Sequence, residues 1–419
     1  MLKTNSFKRT KFACYSAYLS TASVFTLPPL LFATFHDTYG ISYTLLGTLV
    51  LVNFCTQLII DLIFSFFSKY FNIKATVCIM PVLTTIGLLT YALVPNIFPQ
   101  YAYLGLVLGT VIFSMSAGLG EVLISPVVAA LPSDNTERDM SALHSLYGYG
   151  VVFVIVISTL FFNLFGTENW LYLTMFFAFL PLITCFLYCI SPIPDLSFSG
   201  EKREKADKYR KIGIMLCFFC IFLGGASENS MTNWISVYME TALGIPKTAG
   251  DILGLMAFAV LLAVTRTLYA KYGKNISKVL LLGMISATVC YIIAGISTVP
   301  IISMLACILT GIATSMLWPG TLILLEERFP HPGVAVYALM AAGGDFGSSV
   351  APQLLGSLVD TVSASDFAQN LGSTLSLSPE QVGLKIGMLV GASFPLMGTI
   401  LLLYMRRFFK KNKAQKKSQ

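Results

Sequence analysis

Residues 191–211 read SPIPDLSFSGEKREKADKYRK, and this charged stretch near the middle of the chain decides the fold. On each side of it lie six long stretches that carry almost no charge. A helix needs about 20 apolar residues to cross the hydrocarbon region of a bilayer, and most of these stretches supply them. The pattern predicts an all-α integral membrane protein in which a linker separates six transmembrane helices from six more.

The predicted spans are placed by their length and their low charge. They cover residues 12–35, 43–67, 75–94, 101–131, 145–165, 170–190, 212–238, 252–268, 279–296, 301–325, 334–358 and 386–404. The first follows a basic start, as a signal peptide would, but no clear small-residue cleavage site comes after it, so we interpret it as a retained span. The predicted domains are an N-terminal six-helix bundle over 1–190, a cytoplasmic linker over 191–211, a C-terminal six-helix bundle over 212–405 and a basic cytoplasmic tail over 406–419.

The composition excludes an ordinary soluble domain. Of the 419 residues, 56% are hydrophobic and 11% are charged, and the mean hydropathy is +0.77. A soluble domain carries about 25% charged residues, so this chain has too little polar surface to cover a water-soluble core. The net charge of +7 indicates membrane topology and contact with membrane lipid, and we predict no nucleic-acid partner.

The distribution of basic residues predicts the orientation in the membrane. Lys and Arg next to spans stay on the cytoplasmic side. With twelve spans, all 27 basic residues except Lys247 and Lys385 fall on the side that also carries both termini. The sequence therefore predicts a multi-pass protein of the cell membrane with both termini in the cytoplasm, and we expect it to act as a monomer.

A faint repeat relates the two halves of the chain. Residues 68–72, SKYFN, follow the second predicted span, and residues 270–274, AKYGK, follow the eighth. Each segment occupies the same place in its own six-span unit. Parallel repeats of this kind are related by an axis along the membrane normal and bind substrate near the bilayer midplane, between the repeats. We therefore predict a site for a small-molecule solute at that depth.

Five ionisable side chains lie inside the predicted spans, where a charge costs at least a few kcal/mol and is seldom kept without a use or a partner. They are Asp61, Glu121, Glu228, Arg266 and Asp345. We predict that Glu121, Glu228 and Asp345 take part in proton coupling. We assign Asp61 and Arg266 structural or gating roles, because Asp61 can pair with a helix terminus or with Arg266, and Arg266 can snorkel to the membrane surface. A position on the transport path remains the alternative for Asp61.

Neutral polar and aromatic side chains supply the predicted solute contacts. Asn53, Gln57 and Asp61 recur every four residues and share one face of the second span, which must point away from lipid. Sugar rings stack on aromatic faces, while amides bond to hydroxyl groups. The predicted solute-binding residues are Asn53, Gln57, Asn229, Asn233, Trp234, Tyr238 and Trp318.

The nine cysteines lie within the apolar stretches or at their ends, and we interpret them as packing residues. Cys217 and Cys220 have the spacing of a redox or zinc pair. That chemistry needs either a second ligand pair or a soluble active-site setting. We therefore predict no metal site, and we predict no cofactor.

The whole chain resembles the major facilitator superfamily, and two stretches are similar to its fucose-permease-like branch of sugar–proton symporters. Residues 116–150 place an acid, Glu121, in the fourth span before a Leu-His pair that ends at His144 and a glycine-rich start to the fifth span. Residues 224–238, which begin GGASE, resemble the seventh span of that branch. The resemblance implies two pseudo-symmetric six-helix bundles, alternating access, a proton as coupling ion and Glu121 as the protonation site.

The chain departs from the family pattern at two places. Lys69 stands at the acid position of the superfamily's signature loop, and the first span offers no acid before Asp37 at its outer end. Either the substrate differs, or coupling relies on Glu121 with Glu228. His144 begins the fifth span, where it can titrate near neutral pH or bond to a helix end, and we assign it a structural or gating role.

The sequence therefore predicts a secondary transporter that moves a small polar solute, a sugar or sugar derivative, by proton-coupled alternating access. Two alternatives remain: a proton-driven antiporter that exports an amphiphilic compound, and a nutrient sensor that does not transport. We do not predict an enzyme, because the sequence contains no nucleotide-binding glycine loop, no metal-ligand cluster and no serine-histidine-acid arrangement that we can place.

Overall fold

The computed structural model describes residues 2–67, 70–132, 136–194, 208–329 and 334–415, and every regular element in these ranges is helical. The α-helices are α1 Leu2–Tyr39, α2 Tyr43–Phe67, α3 Ile73–Ile97, α4 Ala102–Ala129, α5 Thr136–Phe165, α6 Trp170–Cys189, α7 Lys208–Val237, α8 Lys247–Gly250, α9 Ala257–Tyr272, α10 Ile276–Ile296, α11 Pro300–Thr314, α12 Leu317–Arg328, α13 Val334–Ser363, α14 Asp366–Leu375, α15 Pro379–Gly391 and α16 Ser393–Gln415. Two π-helical segments, Tyr238–Ala242 and Asp251–Met256, flank α8.

Helices cover all the spans predicted from the sequence. In the described part of the chain, 11 segments are long and apolar enough to cross a membrane, judged by length and composition. The predicted span over 334–358 corresponds to a further helix, the 30-residue α13. The architecture is therefore consistent with the predicted twelve-helix fold.

Three predicted spans are not regular α-helices along their whole length: the eighth contains a π-helical segment, and the tenth and the last each contain a short turn. The eighth consists of α8, the π-helical segment Asp251–Met256 and α9, the tenth consists of α11 and α12, and the last consists of α15 and α16. Helices also extend past the predicted bounds, since α7 begins at Lys208 and α16 runs to Gln415. The remaining part of the predicted linker, 195–207, lies outside the described residues.

Polar caps begin several of the helices. The Asn72 side chain accepts a hydrogen bond from the Ala75 N–H at 3.1 Å and starts α3. Ser378 and Gln381 form a reciprocal capping box at the start of α15. The first four N–H groups of a helix lack partners within the helix, so these side chains favour the starts of α3 and α15 at these positions.

The described chain divides into two compact units. Unit 1 comprises Met1–Ser42 and Val52–Gly200. In it α3 packs against α4 and α6, and α1 packs against α5. Glycines let α3 and α4 approach closely, because Gly87 lies against the Phe113 backbone and Gly109 lies against Tyr91.

Unit 2 comprises Tyr43–Leu51 and Glu201–Gln419, so the first turns of α2 belong to it. Its most extensive helix contact joins α7 and α13. Gly344 and Gly347 on α13 face Gly225 and the Phe222 carbonyl on α7. Small residues at these positions allow the two backbones to touch, as they do in many membrane bundles.

Gly347→Ala is expected to destabilise the protein by about 1–3 kcal/mol, because the new methyl group would overlap the carbonyl oxygen of Phe222 and force α7 and α13 apart. Thermal unfolding of the detergent-solubilised protein measures the effect. Gly148→Ala on α5 is the matched control, since no described atom beyond its chain neighbours and its own helix backbone lies within 4 Å of the position of its added Cβ. Equal melting temperatures for the two variants would contradict close packing at Gly347.

Candidate functional site

Unit 1 brings two intramembrane carboxyl groups together. Asp61 on α2 and Glu121 on α4 place carboxylate oxygens within 4.8 Å of each other. Asp61 is half-buried, and its Oδ1 is buried without a hydrogen-bond partner among the described residues, whereas Glu121 is exposed. Two carboxyl groups at this separation interact strongly whenever both are charged.

Gly118 makes this approach of the two helices possible. A Cβ at this position would lie 3.1 Å from Asp61 Oδ1 and 3.1 Å from the Gln57 carbonyl oxygen. Glycine therefore lets α4 lie directly against α2 one helical turn before Glu121. The run of small residues around Glu121 predicts such an approach, and the structure shows that the neighbour is α2.

A buried hydrogen-bond network lies on α2 one to two turns before Asp61. Ser114 Oγ donates to Asn53 Oδ1 at 2.6 Å, and Gln57 Nε2 donates to the same oxygen at 3.0 Å. Asn53, Gln57 and Ser114 are all buried. The predicted polar face of the second span thus lies against α4. Ser114 was missed, because serine recurs throughout these spans and no pattern marks this one.

Tyr18 on α1 is a second residue that the sequence did not single out. Its hydroxyl forms a 3.3 Å hydrogen bond with Ser125 Oγ, one helical turn after Glu121 on α4. A tyrosine hydroxyl can both donate and accept. The chain has nineteen tyrosines, and no sequence pattern marks Tyr18. Only its position beside α4 in the structure distinguishes Tyr18 as a candidate.

Unit 2 contains an intramembrane ion pair. Arg266 Nη2 on α9 donates to both carboxylate oxygens of Glu228 on α7, at 3.0 and 3.1 Å. Both residues were candidates from the sequence, but the sequence predicted that Arg266 would either reach the membrane surface or pair with Asp61. In the structure, Glu228 is its carboxylate partner.

The break between α11 and α12 provides Arg266 with a second acceptor. Pro319 lacks an N–H and cannot pair with the carbonyl of Ser315, four residues earlier. Arg266 Nε donates to this free carbonyl oxygen at 2.8 Å. One guanidinium therefore neutralises an acid on α7 and satisfies a backbone group at the break, which holds three spans together.

Polar residues near Glu228 link α7 to α13. Asn229 Nδ2 donates to Ser348 Oγ at 2.8 Å, and Asn233 Nδ2 donates to the Asn229 carbonyl at 2.8 Å. Asp345 on α13 is buried, with 3% exposure. Trp318 is half-buried and lies over Gly344, next to Asp345 in sequence.

The other two predicted aromatic contacts lie inside unit 2. Trp234 is buried, and its Nε1 donates to the Pro352 carbonyl at 3.1 Å. Tyr238 is buried too, and its hydroxyl donates to the Ala294 carbonyl at 2.5 Å. Their polar atoms thus bond to backbone of the same unit. His144 lies in α5, and its side chain is outside the described part of the chain.

A further charged cluster in unit 2 was not predicted. Lys247 Nζ lies 3.6 Å from Glu240 Oε2 and 3.6 Å from Asp251 Oδ2, and Ser236 Oγ donates to Asp251 Oδ1 at 2.5 Å. The two acids lie in the π-helical segments on either side of α8. The i,i+4 spacing of Lys247 and Asp251 could have predicted their ion pair from the sequence.

The sequence model described as the Major Facilitator Superfamily matches residues 13–352, which is most of the chain. The chain belongs to this superfamily. None of the curated protein sequences compared with the chain matches it significantly.

Solved structures of superfamily transporters share the fold. A bacterial homolog of the human lysosomal transporter Spinster, inward-facing and occupied, has a TM-score of 0.75 at 13% identity over 97% of this chain and 98% of that one. A D-xylose–proton symporter has a TM-score of 0.71 at 15% identity over 93% and 97% of the respective chains. The nucleoside transporter NupG has a TM-score of 0.67 at 14% identity over 96% and 98%.

The superfamily assignment supports secondary transport and a multi-pass membrane protein. Both the family and the fold are those of transporters and not of enzymes. At these identities the structural likenesses show the fold alone. Membership of the fucose-permease-like branch stays a prediction.

Proposed function

We propose that this superfamily member is a proton-coupled symporter for a small polar solute, a sugar or sugar derivative, and that it works by alternating access. The observation that carries the proposal is the pair formed by Asp61 and Glu121. We further propose that the protein is a monomer in the cell membrane with both termini in the cytoplasm, as the distribution of basic residues indicates.

The carboxyl pair suits reversible proton binding. Two full negative charges within 4.8 Å of each other repel by at least about 3.5 kcal/mol at an effective dielectric constant of about 20. The low-polarity surroundings of a membrane span add to the cost of each charge. One proton shared by the pair removes this repulsion, so proton binding and release there can be coupled to a change of conformation.

Glu121 is the proposed proton-exchanging member of the pair. Glu121 is an exposed residue, whereas Asp61 is half-buried and has one oxygen that is shielded from solvent. In this proposal the exposed side of Glu121 faces water rather than lipid, which gives a proton a route to and from its carboxyl group. In this proposal Asp61 makes the doubly charged state unfavourable and thereby favours proton capture by Glu121.

Unit 2 supplies most of the proposed solute contacts. Asn229 and Asn233 present amides within two turns of α7, beside the Glu228–Arg266 pair. Amides and a nearby carboxylate are a donor and acceptor set that suits a polyhydroxylated solute. The names of two similar structures, a D-xylose–proton symporter and a nucleoside transporter, support a sugar-containing solute. Asn53, Gln57, Trp234, Tyr238 and Trp318 stay predicted solute contacts, and Glu228 and Asp345 stay predicted coupling residues.

Proton flux into liposomes tests this proposal. The purified protein is reconstituted with a pH-sensitive dye inside, and monosaccharides, nucleosides and small organic acids are added one at a time. We expect at least one hydroxylated solute to drive proton entry. Asp37→Asn is the matched control, because Asp37 is an exposed acid at the end of α1, and it should leave this flux unchanged.

Other results would identify other functions. Proton exit on addition of an amphiphilic compound would contradict symport and favour an antiporter. Saturable binding of a solute, with no movement of the solute or of protons, would contradict transport and favour a nutrient sensor.

A further inference from the structure

A basic pocket lies in unit 2, and none of the residues proposed for transport lines it. Its volume is about 280 Å³, and it is formed where α10 begins and where α12 and α16 approach their ends. Its lining residues are Asn275, Ser277, Arg328, Arg406, Phe409 and Lys410. No described acidic residue belongs to this lining.

Three cationic side chains converge on the pocket. Arg328 is the last residue of α12, while Arg406 and Lys410 lie one turn apart on α16. The neighbouring acids of α12, Glu326 and Glu327, are exposed and lie outside the lining. Converging like charges repel each other unless an anion lies between them, so the pocket favours a ligand that carries negative charge.

The start of α10 adds a second anion-attracting element. Asn275 caps this 21-residue helix, and its side chain accepts from the Lys278 N–H at 3.3 Å. Ser277 is the second residue of the helix and contributes a hydroxyl to the lining. The N-terminus of a helix carries partial positive charge and is suited to phosphate groups.

Arg328 provides the strongest evidence that the pocket binds a ligand. Its guanidinium lies over the Phe409 ring, 5.1 Å from the ring centroid, and Phe409 belongs to the buried core of unit 2. Its Nε is buried and has no hydrogen-bond partner among the described residues. A buried donor without a partner is costly, and an anion held against the same guanidinium would offset part of that cost.

We propose that this pocket binds a phosphate group, either the phosphodiester of an anionic lipid headgroup or a free phosphate. Arg328 and Arg406 would donate to its oxygens, which guanidinium groups recognise with paired N–H donors. A position at the ends of three spans is where a lipid headgroup would meet the protein, and basic pockets between transmembrane helices bind such headgroups in other proteins. The proposal does not depend on the identity of the transported solute.

The test measures binding of three probes to the detergent-solubilised full chain. The probes are dioctanoyl-phosphatidylglycerol, dioctanoyl-phosphatidylcholine and inorganic phosphate, and melting temperature against probe concentration yields each dissociation constant. We expect phosphatidylglycerol to stabilise the protein more than phosphatidylcholine does. Arg406→Gln should weaken phosphatidylglycerol binding about tenfold, because it removes charge-assisted hydrogen bonds.

Arg407→Gln is the control, since Arg407 is an exposed neighbour with the same charge that does not line the pocket. It should change the dissociation constant less than twofold, while Lys410→Gln should weaken binding as Arg406→Gln does. Inorganic phosphate binding that depends on Arg406 would support a site for the phosphate group alone, and binding of phosphatidylglycerol only would support a lipid site. Equal binding of phosphatidylcholine, an equal effect of Arg407→Gln, or no binding of any probe would overturn the proposal.

Discussion

Glu121→Gln is expected to abolish proton-driven accumulation of the solute while leaving exchange of solute across the membrane intact. A pH difference of two units stores about 2.7 kcal/mol per proton, which supports roughly 100-fold accumulation if one proton accompanies each solute. Glutamine resembles the protonated acid in shape and charge but cannot release a proton. The accumulation ratio should therefore fall from that value to about one.

Liposomes loaded with unlabelled solute separate the two activities. Uptake of labelled solute by exchange requires only that the solute-loaded carrier change conformation. Glu121→Gln should therefore retain exchange. Retained exchange would also show that the variant is folded. Glu121→Asp should restore part of the accumulation, because it keeps a carboxyl group on α4. Accumulation by Glu121→Gln at the native level would remove this residue from the coupling mechanism.

Loss of either partner of the Glu228–Arg266 pair is expected to destabilise the protein markedly. Arg266→Gln leaves the Glu228 carboxylate without the guanidinium that donates to both of its oxygens, and it also frees the Ser315 carbonyl. Removing one member of a buried pair typically costs about 3–5 kcal/mol. The Arg266 side chain is 37% exposed and that of Glu228 is 18% exposed, so we expect about 2–3 kcal/mol for either single variant.

A double-mutant cycle tests whether the two residues act as a pair. The variant Glu228→Gln/Arg266→Gln leaves no unpaired charge, so its loss of stability should be smaller than the sum of the two single losses. Melting temperatures in detergent provide the measurement. Lys271→Gln, an exposed position on the same helix α9, should have little effect, and additive losses in the cycle would show that the contact contributes no stability of its own.

The number and placement of the spans were predictable from the sequence. The second predicted span has the bounds of the observed α2, Tyr43–Phe67. Apolar stretches of this length are readily recognised, because lipid requires about 20 residues to be apolar together. The interruption at Ser315 was harder to predict, although Pro319 marked it, since proline is common in membrane helices and breaks only some of them.

The chemical identity of the candidate residues was also predictable, but their partners were not. An acid inside an apolar stretch is rare because a charge is costly in the membrane. This rule identified Asp61, Glu121 and Glu228 from the sequence. Their partners depend on the rotation and relative depth of each helix. A rotation of α4 would separate Glu121 from Asp61 without changing the hydropathy of either span.

The sequence by itself determined a twelve-helix membrane protein with a small set of intramembrane charges, because burial in lipid selects residue types locally along each span. Only the tertiary structure decided that Gly118 brings Glu121 to Asp61, that Glu228 pairs with Arg266, and that Arg328 lies over Phe409 in a basic pocket. These contacts join residues from different helices. They follow from close packing of small residues and from pairing of charges in a medium that offers no water as an alternative partner.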